Sequence, residues 1–242
     1  MLKIEHLTKT YGNFKAVDDL SLHIQPGEIY GFIGHNGAGK TTTLKSVAGI
    51  LTYDSGEIYI NGISLAQKPV EAKQIMAYIP DNPDIYEFMS AVQYLNFVAD
   101  IYGVSQADRI MRIKKYGDMF ELTDKLAQNV NSYSHGMKQK LAVMGAFIHA
   151  PKLILMDEPF VGLDPKAAFL LKETMREICN EGGAIFFSTH VLDVAEKLCD
   201  KVAIIKQGRL IKSGTMEEVK GDESLESVFL ELEDANLMGA QV

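Results

Sequence analysis

Apolar and polar positions alternate through the first thirty residues, and the period then changes twice. "LKIEHLT" and "AVDDLSLHI" alternate almost residue by residue, with "YGN" as a turn between them and Pro26-Gly27 closing the second run. A period of two means one face in a core and one in water, so both are expected as half-buried strands. "EIYGFIG" is continuously apolar, as a strand covered on both faces must be, and it feeds a glycine loop. "TTTLKSVAG" then reads as a helix ended by Gly49, "GEIYING" as a strand with an Asn61-Gly62 turn, and "MAYIP" as a further short strand. From about Asp84 to Ala150 the pattern turns helical. "SAVQYLNFVADIYG" puts Val92, Leu95, Val98 (or Phe97) and Tyr102 on one stripe, and "LAVMGAFIHA" continues it. Strand and helix alternation then returns. "KLILMD", "GAIFFSTH" and "VAIIK" are expected as buried strands. Asp164 as N-cap with Pro165 at the first helical position opens a helix. Its apolar face is Ala168, Leu171, Met175 and Ile178, and Gly182 ends it. "SLESVFLELEDAN" closes the chain as a short amphipathic helix.

Buried strands alternating with helices imply an α/β fold with a parallel-sheet core. The helical stretch interrupts that core, and a small antiparallel patch precedes it. The expected segments are 1–83 for the β subdomain and the first part of the core, 84–150 for the helical insertion, 151–220 for the rest of the core, and 221–242 for the tail. No repeat, heptad run or low-complexity tract is visible.

Charge narrows the function. The net charge is −8 in 242 residues. Nucleic-acid binders need many Lys and Arg against phosphates, so nucleic acid is not an expected partner. The two cysteines, Cys179 and Cys199, have no metal-ligand spacing and are expected as reduced, buried thiols. The first residues lack the apolar run of a signal peptide, and no stretch reaches the roughly 18 apolar residues of a membrane span.

Three strand ends carry chemistry. "GHNGAGKT", Gly34 to Thr41, fits G-x-x-x-x-G-K-[ST] between a strand and a helix, the context that a phosphate loop needs. Its glycines let the backbone wrap a triphosphate, with N–H groups from Asn36, Gly37, Ala38, Gly39 and on to Thr42 converging on oxygens. Lys40 would supply a positive charge to the β and γ phosphates, and the Thr41 hydroxyl would coordinate Mg²⁺. "LILMDEP" ends a buried strand in Asp157 and Glu158, where open α/β sheets bind ligands. Asp157 would hold Mg²⁺ through water, and Glu158 would orient or deprotonate an attacking water. "IFFSTH" ends another strand in His190, either a hydrogen-bonded structural histidine or a donor to the γ-phosphate. Far from these, "NSYSHGMKQKL" offers Ser134, Gly136 and a fresh helix N-terminus, the makings of a second anion site.

"GHNGAGKTT", "YSHGMKQ", "LILMDEP", "VGLD" and "STH" stand in the order and at roughly the separations found in the nucleotide-binding subunits of ABC transporters. Over about residues 2 to 220 the chain resembles that family. It is most similar to stand-alone ATPase subunits that pair with separate membrane subunits, often exporters. The resemblance implies a P-loop NTPase (RecA-like) core, ATP and Mg²⁺ as ligands, and ATP hydrolysis driving transport. It further implies a head-to-tail dimer with a second ATPase subunit, identical or a close paralogue, around two ATP molecules. In that dimer Ser134 and Gly136 would bind the γ-phosphate of the ATP held by the partner subunit's phosphate loop. Asp164 matches the aspartate that links the two sites, His190 the switch histidine, and Tyr11 the aromatic that stacks on adenine, with a turn tyrosine as the plain alternative. Integral membrane permease subunits would hold the protein at the cytoplasmic face of the membrane. A soluble ABC-type ATPase without a transporter is the alternative, while a GTPase lacks its N-K-x-D motif here.

Three departures stand out. Tyr133, His135 and Met137 replace Leu, Gly and Gln of the usual LSGGQ signature, and Val161-Gly162 replaces a more usual Ser-Gly or Ser-Ala. Asp81 in "YIPDNPD" stands where the family places a glutamine that touches Mg²⁺. It would tune the Mg-ATP site as a Mg²⁺ ligand, or have left that site to serve only the membrane contact, or be a plain solvated loop acid beside Pro80 and Pro83.

Overall fold

A computed structural model describes residues 1–83 and 85–238, with the side chains from 233 onward left aside. Two sheets organise it. The first is wholly antiparallel, in the order β2 (Phe14–Ile24), β1 (Leu2–Tyr11), β4 (Ser55–Ile60), β5 (Ile63–Ser64). The second has six strands in the order β10 (Arg209–Thr215), β9 (Lys201–Lys206), β3 (Ile29–Ile33), β8 (Ala184–Thr189), β7 (Leu153–Asp157), β6 (Met76–Ile79). The neighbours from β9 to β6 run parallel, and β10 pairs antiparallel with β9 at one edge.

The parallel strands are apolar throughout because each faces two cores. Ile29 and Ile33 of β3, Ile154 and Met156 of β7, and Ile185 and Phe187 of β8 enter one cluster with the helices. Their sequence neighbours Tyr30, Phe32, Leu153, Leu155, Ala184 and Phe186 enter the other, which includes Leu2, Ile4, Val17 and Leu20 of the antiparallel sheet. Period-two geometry divides the strands between the cores. At roughly 25 cal/mol per Å² of apolar surface removed from water, this two-sided burial is a main stabilising term of the fold.

The helices are α1 (Lys40–Val47), α2 (Pro69–Gln74), α3 (Ala91–Ile101), α4 (Gln106–Met119), α5 (His135–Phe147), α6 (Pro165–Asn180), α7 (Leu192–Leu198), α8 (Met216–Lys220) and α9 (Leu225–Met238). Side-chain oxygens set several starts, as N-caps do. Ser90 and Gln93 form a capping box on α3, Ser134 caps α5 and Asp164 caps α6.

The structure corrects several readings. Asp84, the expected first residue of the helical stretch, lies outside the described residues, and the first helix there begins only at Ala91, after turns. The face of α3 that is fully buried is Ala91, Leu95 and Ala99. Val92 and Val98 are only half-buried and Phe97 is exposed, since the i, i+4, i+8 line through the two alanines, and not the bulkier stripe beside it, is the one turned to the core. On α6, Ala167, Thr174 and Cys179 are buried with Leu171 and Met175, whereas Ala168 is half-buried. The antiparallel strand β10 was not anticipated. Both cysteines are buried and unpaired, and burial raises their thiol pKa values, that of Cys179 to about 11.

His149 follows α5 and stacks on Tyr102 with ring centroids 3.6 Å apart, its Nε2 lying 3.1 Å from the Met76 carbonyl oxygen. Burial lowers its pKa from an ordinary 6.5 to about 4. The unfolded chain therefore takes up a proton near pH 6.5 that the folded chain refuses until about pH 4. The stability contributed by neutral His149 is complete above that window and is lost as pH falls through it. Urea unfolding at pH 7 and pH 5 is expected to show a smaller stability loss for His149→Gln than for the wild type. Equal losses would remove His149 from the account.

Candidate functional site: a phosphate cleft and a separate signature cluster

β3 runs directly into the loop from Gly34 to Gly39, which opens α1. Close approach fixes the loop ends. A Cβ on Gly34 would lie 2.5 Å from the Ile205 carbonyl oxygen, and one on Gly39 would lie 2.3 Å from that of Ala16. Gly39 also has φ 109°, a conformation that glycine adopts without strain. Ala38 is buried, and its carbonyl accepts a 2.9 Å hydrogen bond from Gly208 N–H. Asn36, Gly37 and Thr41 stay exposed.

A cleft of about 390 Å³ lies over this loop. Asn36, Gly37, Gly39, Lys40, Thr41 and Thr42 line its floor, and Asp81, Asp157 and Glu158 line its wall. Asp157 ends β7, and Glu158 and Asp81 follow β7 and β6, so one end of the parallel sheet gathers them. Tyr11 and Phe14 pair across the β1–β2 turn and flank the cleft, 49% and 58% exposed. Sequence reading named Tyr11 and missed Phe14, although an exposed aromatic beside the same turn was the available signal.

Lys40 is 6% exposed, and its Nζ donates to the carbonyl oxygens of Gly34 at 2.5 Å and His35 at 3.2 Å. Burial lowers its pKa, while Glu158 and Asp157 act in the opposite sense. Nζ lies 3.8 Å from Glu158 Oε1, which also lies 2.8 Å from His190 Nδ1. With Glu158 ionised, Nδ1–H is the donor. One carboxylate oxygen thus joins the phosphate-loop lysine to the histidine just after β8.

Ser188 holds the acids in place. It stands opposite Asp157 in the β7–β8 register, and its hydroxyl donates to Asp157 Oδ1. Glu158 N–H approaches both the Ser188 carbonyl oxygen and its Oγ at 3.2 Å. Glu158 has φ 47°, a left-handed backbone that costs a non-glycine residue roughly 1–2 kcal/mol. Sequence reading quoted "STH" for its histidine and gave this serine no role.

Asp157 is 1% exposed, and its Oδ2 is buried without a hydrogen-bond partner. A buried carboxylate oxygen left bare is costly unless a cation meets it. The described residues hold no group of three or more His, Cys, Asp or Glu able to cage a metal. Mg²⁺ needs no such cage, since it is commonly held by one or two protein oxygens together with phosphates and water. Asp157 Oδ2 with the nearby Thr41 hydroxyl fits that pattern.

Ser134, Gly136 and Asp164 do not line this cleft. They gather where the start of α5 meets the 161–164 loop. Ser134 Oγ accepts from Met137 N–H, and a Cβ on Gly136 would lie 2.8 Å from the Gly162 carbonyl oxygen. The ring of His135 fills the space beside Gly162. Asp164 accepts from Ala167 N–H at 2.9 Å and from Lys140 Nζ at 2.6 Å, and these partners hold its pKa below the usual carboxylate range.

Comparison with known proteins gives a consistent result. Residues 17–161 match the family model described as ABC transporter. The ABC-type transporter ATP-binding protein EcsA of Bacillus subtilis is 35% identical over 242 aligned residues, covering 97% of this chain and 98% of that protein. A solved ATP-binding subunit of an ABC transporter superposes with a TM-score of 0.93 at 35% identity, covering 96% of this chain and 99% of that one. A dimeric ATP-binding cassette in a post-hydrolysis state, bound to ADP and phosphate, superposes with a TM-score of 0.81 at 23% identity, covering 89% and 99%.

Ser188 offers a direct test of how the acids are held. Ser188→Ala leaves Asp157 with no donor at Oδ1, and an unsatisfied buried polar group costs about 1–3 kcal/mol. Chemical denaturation is expected to show that loss, and phosphate release is expected to fall more than nucleotide affinity. A variant of wild-type stability and turnover would contradict the role given to Ser188.

Proposed function

The chain belongs to the ABC transporter family of ATP-binding, ATP-hydrolysing subunits, and on that premise we propose that two copies bury two Mg-ATP between them to drive separate membrane subunits. The observation that carries the reading is the division of its anion-binding features. The phosphate loop, Asp157 and Glu158 share one cleft, while Ser134 and Gly136 stand outside it. A cleft half-built in each chain is completed when the Ser134 region of one copy meets the phosphate loop of another. The positive end of α5 adds to that attraction.

Each side chain then has a task. Lys40 exchanges its loop carbonyl partners for phosphate oxygens. Tyr11, with Phe14 beside it, offers a face to the adenine. Asp157 Oδ2 and Thr41 would hold a magnesium ion, which would supply positive charge against the β and γ phosphates. Asp81 brings a further carboxylate to the same wall, a full charge where the family has a neutral amide, so it tunes the affinity for Mg-ATP. Glu158 orients and deprotonates water, and His190 holds that carboxylate by its 2.8 Å contact. Asp164, tied to α5 by Lys140, couples the half-site to the 161–164 loop.

The transporter reading is favoured over a soluble ATPase by the surface beside Asp81. A groove of about 320 Å³ opens there among Pro80, Pro83, Ile85, Tyr94, Val98 and Tyr102, and Tyr86 and Phe88 next to it are largely exposed. An apolar groove bordered by exposed aromatics suits a short helix of a membrane subunit. No described helix is long and apolar enough to cross a membrane. Such membrane subunits would hold the chain at the cytoplasmic face. The similarity to stand-alone ATPase subunits, often those of exporters, favours an export system.

Glu158→Gln keeps the shape of the site and removes the base. Nucleotide binding is expected to persist, while phosphate release falls by ~10²–10⁴-fold. Wild-type turnover in that variant would refute the assignment.

A further inference from the structure

The last helix reaches the phosphate loop. Phe229 of α9 is 6% exposed, and its ring meets that of His35 edge-on, with centroids 4.9 Å apart and planes at 62°. His35 is the second residue of the Gly34–Gly39 loop and is itself exposed. An aromatic pair of this geometry is attractive beyond its buried area.

α9 is anchored on elements that also serve the site. Leu225 is fully buried, and its N–H donates to Glu196 Oε2 on α7 at 3.0 Å. Lys220 of α8 donates to the other oxygen of Glu196 at 2.7 Å. Lys206, which ends β9, reaches the Leu232 carbonyl oxygen at 3.4 Å. α7 begins two residues after His190. The tail helix therefore touches both the phosphate loop and the helix that follows the histidine contacting Glu158.

The loop has reason to need such support. Its ends are fixed by close approach to Ile205 and Ala16, but its middle is open. Gly37 has φ 83°, and a Cβ there would meet nothing within 4 Å. An exposed, glycine-rich turn loses conformational freedom when it closes on a ligand. A contact that already restrains the loop lowers that cost and so tightens binding.

We propose that α9 is a positioning element for the nucleotide site, acting through Phe229 on His35 to hold the phosphate loop ready for its ligand. The proposal rests on reading that loop as the ATP site. It assigns the tail a part in ATP affinity, with Phe229 itself touching no reacting atom.

The test uses the full chain and Mg-ATP, with Kd, KM, kcat and Tm measured for Phe229→Ala, Phe229→Leu, His35→Ala and the double variant Phe229→Ala/His35→Ala. Phe229→Ala and His35→Ala are expected to raise Kd and KM by about 3- to 10-fold, the span that an aromatic pair's coupling corresponds to. For the two Phe229 single variants kcat is expected to stay within about twofold, since Phe229 stands outside the cleft and its loss changes binding and not chemistry. The double variant is expected to bind no worse than the weaker single one, because both changes remove the same contact. Phe229→Leu keeps an apolar side chain under the helix, and is expected to hold Tm near wild type while still weakening binding. Wild-type Kd in Phe229→Leu together with Phe229→Ala would overturn the proposal, as would multiplicative effects in the double variant. Absence of Mg-ATP binding by the wild type would overturn the reading of the loop itself, and this proposal with it.

Discussion

A lysine ammonium almost wholly removed from water is the constraint around which the cleft is built. A buried cation needs compensation, and Lys40 receives it from two loop carbonyl oxygens and from Glu158 at 3.8 Å. To supply those carbonyls the chain must turn back on itself between β3 and α1, which sets glycines at Gly34 and Gly39 where any Cβ would strike a backbone oxygen. To supply the carboxylates, β7 must end level with β3, with β8 between them in register. The two-sided apolar core keeps those strand ends level, so packing far from the cleft sets distances within it.

The same arrangement accounts for the strained geometry of Glu158. Asp157 turns inward to Ser188, and the left-handed backbone of the next residue turns Glu158 toward Lys40 and His190. The strained residue donates its N–H to the carbonyl and hydroxyl oxygens of one serine, which makes Ser188 the link between the sheet and the chemistry. The second cluster is built independently. Ser134, Gly136, Asp164 and Lys140 depend on the meeting of α5 with the 161–164 loop, and His135 packs where Gly162 leaves room for a ring.

Much of this was legible in the sequence because charge and glycine stand out against apolar runs. The phosphate loop, the acids ending "LILMDEP" and the histidine ending "IFFSTH" each follow a strand that period-two reasoning locates. What remained hidden is set by tertiary contact. The buried face of α3 uses Ala91 and Ala99, residues that hydropathy ranks below Val92. β10 is an edge strand whose polar residues, Arg209, Lys212 and Ser213, give no continuous apolar run. Ser188 looks like any small strand residue until β7 is laid beside β8. The Phe229–His35 contact joins residues nearly two hundred positions apart, which no local pattern reveals.

Completion of each cleft by a second chain can be measured by mixing two inactive variants. Lys40→Ala damages the cleft, and Ser134→Ala damages what the other chain brings to it. A mixed dimer would hold one site with both lesions and one with neither. ATPase activity is expected to appear on mixing, above that of either variant alone. If mixed dimers form, as tagged pull-down in Mg-ATP would establish, and activity stays at the level of the separate variants, completion across two chains is contradicted.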